Sequence, residues 1–139
     1  MIILNFSHPL TEDQRSEIEA LAADAIAGVR DLTTQLDSAR PVEALVVALL
    51  AEAGLSARQG QNEAVLINPP AYAPVTAVLL AELHGRMGYF PAIIRLRPAP
   101  AATPPRFEAA EIINLQQVSA PARERRMLNG SVTVGNQQG

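Results

Sequence analysis

Two short stretches, Ile2-Ile3-Leu4-Asn5-Phe6 and Ala64-Val65-Leu66-Ile67-Asn68, carry no polar side chain before their asparagine. A strand with one face in water alternates apolar and polar residues. A run without alternation has to be covered on both faces, which is the position of a central strand in a parallel sheet. Parallel neighbours need long crossover connections, and the chain supplies helices for them. This pairing of buried strand and crossover helix is the tightest constraint in the sequence. It predicts a small α/β fold of the Rossmann-like kind.

Between the two runs, Thr11-x-x-Gln14 is a capping-box pattern, with Glu12 and Asp13 in the following turn. Ile18, Leu21, Ala22, Ala25 and Ile26 recur at helical spacing, and Gly28 is the expected stop. Val29 to Leu36 reads as a second strand. A second helix begins at Pro41, with Val42, Leu45, Val46, Leu49 and Leu50 as its buried stripe and Gly54 as terminator. Arg58 to Glu63 reads as a polar loop.

After Asn68, a third helix begins at Pro74 and carries Leu79, Leu80, Leu83 and Met87; Gly85 and Gly88 close it. Residues 91–98 (PAIIRLRP) form a fourth strand, in which alternation puts Ile93, Arg95 and Arg97 on one face. The proline-rich 98–105 segment suits neither helix nor inner strand. Phe107 to Leu115 is a fifth strand, expected to pair antiparallel with the fourth. A short basic helix is expected near Ala120 to Leu128, with disorder in the last eleven residues. The predicted order is βαβαβα and then two strands. Residues 1–118 make one domain, and 119–139 a helix and tail.

Composition removes several function classes. The 139 residues include no cysteine, so disulfides, thiolate metal sites and cysteine nucleophiles are excluded. All eleven basic residues are arginine, which excludes Schiff-base and lysine-base chemistry. A net charge of −3 gives no general attraction to long nucleic acid. No apolar run reaches the ~20 residues of a bilayer span, and the first run is too short for a secretory signal. A cytoplasmic location is the expectation. Dinucleotide, P-loop and nucleophile-elbow motifs are missing, and two histidines without a carboxylate pattern argue against a metal site. No cofactor is expected.

In open α/β sheets, ligands sit beyond the carboxyl ends of the strands, at a switch in strand order. Asn5, Phe6, Ser7 and His8 end the first strand, and Asn68, Pro69, Pro70 and Tyr72 end the third. Each loop leads to a helix start, where free N–H groups favour an anion. Arg95 and Arg97 are further candidate anion contacts. Each residue also has a plainer use. Asn and Ser close turns and cap helices, His8 suits a loop, His84 suits a helix end, and the arginines suit an exposed sheet face or an ion pair between subunits. Arg123, Arg125 and Arg126 read as a solvated basic tail.

The blocks NFSHPLT (5–11), LINPP (66–70) and LLAELHGRMGYFPAIIRLRP (79–98) resemble a small family associated with type III CRISPR systems. Its members are regarded as ring-nuclease-like proteins with a reduced CRISPR-associated Rossmann fold. The resemblance spans nearly residues 1–118 and does not extend past Arg126. It implies cyclic oligoadenylate, most often cyclic tetra-adenylate, as ligand, and a role in lowering that antiviral second messenger. A symmetric ring of four nucleotides suits a site shared by two copies across a two-fold axis, hence a homodimer; apolar faces on the second and third helices suit stacking into larger assemblies and suit core burial equally well. On that view Ser7 and Asn5 bond ribose or phosphate, Asn68 bonds an adenine edge, and Tyr72 or Pro69 packs on a base. His8, with Ser7, is the candidate for metal-independent ring opening by a ribose 2′-OH. The same residues suit a binder that sequesters the ring without cutting it. Two alternatives stay open: a dimeric protein-interaction module without nucleotide, and a small flavodoxin-like mononucleotide enzyme.

Overall fold

Both asparagine-ended runs become central strands, as their lack of alternation requires. The computed structural model describes residues 1–32 and 39–137, with side chains as far as 129. In chain order the elements are β1 (Ile2–Asn5), α1 (Glu12–Ala22), β2 (Gly28–Asp31), α2 (Val42–Ala53), α3 (Ala57–Asn62), β3 (Val65–Asn68), α4 (Ala73–Met87), β4 (Ala92–Pro98), β5 (Phe107–Asn114) and α5 (Leu115–Gln137). Among the described residues the sheet has five strands in the order β2-β1-β3-β4-β5. The first four run parallel and β5 is antiparallel to β4. This is a small Rossmann-like α/β domain with helices on both faces.

Alternation within β1 and β3 sorts their side chains between two cores. Ile2, Leu4, Phe6, Val65 and Ile67 pack with Val46, Leu49 and Leu50 of α2 and with Val75, Leu79, Leu83 and Met87 of α4. Ile3 and Leu66 face the other way, with Ile18 of α1 and Ile94 of β4. The predicted stripe of α2 is therefore real, as is that of α4 apart from Leu80, which joins neither core. In α1, by contrast, only Gln14 and Ile18 are buried, and Leu21 is exposed.

Several expectations need correction. The first helix stops at Ala22, not Gly28, and Ala23 takes the left-handed conformation as its C-cap. The chain turns early because the segment after it is held elsewhere. The Met1 ammonium donates to the Ala25 carbonyl at 3.0 Å, and the Ile26 amide donates to Glu19 Oε2 at 3.1 Å. Arg58 to Glu63, expected to be a loop, forms most of α3, whose Ser56/Gln59 capping box repeats the Thr11/Gln14 pattern. Gly85 lies inside α4, and Gly88, at φ +84°, ends it. The last eleven residues were expected to be disordered, yet α5 continues to Gln137, starting where Asn114 Oδ1 accepts the Gln117 amide. β2 ends at Asp31; most of the rest of its predicted span lies outside the described residues. No helix of the described residues is long and apolar enough to cross a membrane.

Candidate functional site

The strand order switches between β1 and β3. The connection leaving β1 goes to β2 on one side, and the connection leaving β3 goes to β4 on the other. Register then decides what stands at that point. Asn5 is paired with Asp31 of β2 and with Asn68 of β3, so three polar residues align at the carboxyl end of three adjacent strands.

Asn5 is 0 % exposed and its amide is saturated. Nδ2 donates to the His8 carbonyl at 2.9 Å and to Asp31 Oδ1 at 2.8 Å. Oδ1 accepts from the Ser7 amide at 3.1 Å and from Asn68 Nδ2 at 2.8 Å. An asparagine side chain offers two donors and two acceptor positions, and all four are taken. Because the Ser7 amide can only donate and the His8 carbonyl can only accept, the orientation of Asn5 is fixed. That in turn makes the Asn68 atom facing it the donor Nδ2. The bond from Ser7 is an Asx turn, which curls the chain back over the end of β1.

Above this floor lies a cleft of about 850 Å³, lined by Ser7, His8, Pro9, Thr11, Asp13, Gln14, Asn68, Pro69, Ala71, Ile94, Arg95, Leu96, Arg106 and Phe107. Such a volume is in the ~300–1,000 Å³ range of small-molecule sites. The structure thus brings together Ser7, His8, Asn68, Pro69 and Arg95 of the residues singled out from sequence. Asn5 lies beneath them and braces the floor, with no hydrogen-bonding capacity left for a ribose or phosphate. Phe6 is 2 % exposed in the core on the α2/α4 side and does not line the cleft. Pro70 is buried, and its carbonyl accepts from Thr76 Oγ1 at 3.1 Å. Tyr72 stands at the N-cap of α4, half exposed and outside the cleft. Arg97 is also outside it, paired with Glu108 at 2.8 Å. Arg95 is paired with Glu111 at 2.6 Å, so both arginines form cross-strand ion pairs within this chain. His84 packs its ring on Phe90, with centroids 4.2 Å apart, in the last turn of α4.

The two helix starts near the cleft differ. The start of α1 is self-compensated: Thr11 and Gln14 cap each other, and Glu12 and Asp13 occupy the first turn. α4 has neither a side-chain cap nor an acidic residue in its first turn. Of the two, the α4 start is the less compensated, but Pro74 has no N–H to offer and no residue of that first turn lines the cleft. Sequence reading did not place Pro9, Thr11, Asp13, Ala71, Ile94 or Leu96 in the lining, and it also missed Gln14, Arg106 and Phe107. The capping box accounted for Gln14 locally, and the other two follow a proline-rich stretch with no motif of its own.

Fold and cleft together define a small Rossmann-like domain with a cavity at the carboxyl end of its sheet, beside the switch point. No protein-family model, curated protein or solved structure matches the chain.

Proposed function

We propose that the chain binds a cyclic oligoadenylate, cyclic tetra-adenylate in the first instance, and lowers its free concentration so that the effectors it activates switch off. The observation that carries this reading is the position of the 850 Å³ cleft beside the β1/β3 switch point, with Ser7, His8 and Asn68 at one side and Arg95 and Arg106 at another. Phosphate-bearing ligands occupy this place in doubly wound sheets, where strand-end loops and a helix start converge. A ring with repeated nucleotides suits a repeated site, so two clefts facing across a two-fold axis would share one ligand.

Sequestration is the primary mode in this proposal. The saturated Asn5 amide fixes the shape of the floor and offers no reacting group. Ser7 and His8 are exposed and line the cleft, so a slow ring opening would involve them. In that step a ribose 2′-OH attacks the adjacent phosphate and the 5′-oxygen leaves, giving a 2′,3′-cyclic phosphate and a 5′-hydroxyl. Positioning of the reacting groups supplies the acceleration.

A protein-interaction module is the second reading. It is favoured by α5, which leaves Val118, Met127 and Leu128 exposed.

The test is incubation with cyclic tetra-adenylate in EDTA, once with protein in excess and once with ligand in excess, followed by chromatography and a native gel. We expect a shifted, uncut ring with protein in excess and at most slow linear product with ligand in excess. A ring that neither shifts nor opens overturns the proposal and leaves the interaction module in its place.

A further inference from the structure

We infer that Phe107 and Arg106 form a nucleotide subsite on the outer wall of the cleft, the base stacking on the Phe107 ring and a phosphate meeting the Arg106 guanidinium. The inference rests on the nucleotide-ligand reading above and deepens it by naming the residues that grip one unit of the ligand.

The chain has three phenylalanines, and two have evident structural roles. Phe6 is buried in the core, and Phe90 packs against His84. Phe107 is 56 % exposed beside the cleft. Its backbone, however, is held on both sides. Gln14 Nε2 donates to the Phe107 carbonyl at 3.0 Å, and the Ala99 amide donates to the Arg106 carbonyl at 2.9 Å. Gln14 is itself buried and fixed by its capping box. An apolar ring is thus presented to solvent from a fixed backbone, so a planar ligand that packs on it has only the ring's side-chain torsions to order.

Arg106 differs from the two other arginines of the β4–β5 hairpin. Arg95 and Arg97 have partners at 2.6 and 2.8 Å, whereas the nearest approach of Arg106 to Glu17 is 3.8 Å. An exposed pair at that distance contributes little, so turning this guanidinium onto a phosphate gives up little. An aromatic face and a loosely held guanidinium on consecutive residues match the base and phosphate of one nucleotide. Stacking accepts any base, so this subsite grips one unit without selecting its base.

The chain contains no tryptophan, so Phe107→Trp places a single fluorescent reporter at the subsite. We expect its emission to be quenched saturably by cyclic tetra-adenylate and by linear tetra-adenylate. Phe107→Ala should weaken binding about 5–150-fold, the equivalent of ~1–3 kcal/mol per stacked base at 1.4 kcal/mol per tenfold. Arg106→Gln should weaken it and reduce the salt dependence by about one phosphate contact. Each variant should keep the wild-type Tm. If the wild-type protein binds the ring but Phe107→Ala binds equally well and Phe107→Trp is not quenched, the subsite is overturned. Loss of a dimer in Phe107→Ala with unchanged affinity also overturns it, in favour of a contact between copies. If the ring is not bound but linear tetra-adenylate quenches the reporter, the ring reading falls and the subsite stands. If neither quenches it, the subsite falls.

Discussion

At the floor of the cleft, Asn5 is fully buried and engages Ser7, His8, Asp31 and Asn68 at once; on the outer wall, Arg95, Arg106 and Phe107 are each about half exposed. The floor joins three parallel strands and the loop after β1, so its geometry is set during folding. The wall stands on an antiparallel hairpin, with a register irregularity between Arg95 and Leu96 and with side chains that solvent can still reach. Buried polar networks are costly to break, because each deserted partner stays desolvated. Exposed ion pairs and exposed rings add little to stability and are open to a ligand. One half of the cleft holds its shape, and the other half is available for recognition.

That contrast can be broken most directly at Asn5. Asn5→Ala leaves Asn68 Nδ2, Asp31 Oδ1, the Ser7 amide and the His8 carbonyl without their partner. The expected loss is up to about 3 kcal/mol, mainly from Asn68, the one partner that is itself buried, since Ser7, His8 and Asp31 are exposed. Thermal denaturation should show this as a fall of up to roughly 10 °C in Tm. An unchanged Tm would mean that the floor is no more structural than the wall. Arg95→Gln probes the other side. Removing its exposed pair with Glu111 should cost ~0.2–1 kcal/mol of stability, and it should weaken binding of an anionic ligand more at low salt than at high salt. A Tm loss as large as that of Asn5→Ala would erase the distinction. The smallest effect is expected from truncation after Val118, which removes most of α5, whose described side chains beyond that point are nearly all exposed. Stability should change by no more than about 0.5 kcal/mol, as for surface changes away from packed features. A large fall would place α5 within the folding unit of residues 1–118.

The sequence by itself determined the elements whose signals are local. Uninterrupted apolar runs marked β1 and β3, helical periodicity marked α2 and α4, and Thr11-x-x-Gln14 marked the start of α1. It also pointed to both strand-end loops, because an asparagine followed by a proline-containing loop is legible within a few residues. The Ser56/Gln59 box was equally legible but lay in a stretch too short and too polar to show helical periodicity. What each residue does at the cleft was decided elsewhere. Asn5 meets Asp31 26 residues away and Asn68 63 away, while Gln14 meets Phe107 93 away. Local pattern records how a segment twists and which face it buries, but not which strand lies beside it or in what register. Those lateral pairings turned Asn5 from a candidate ligand contact into a brace. They also brought Arg106 and Phe107, which follow a segment without a motif, to the edge of the cleft.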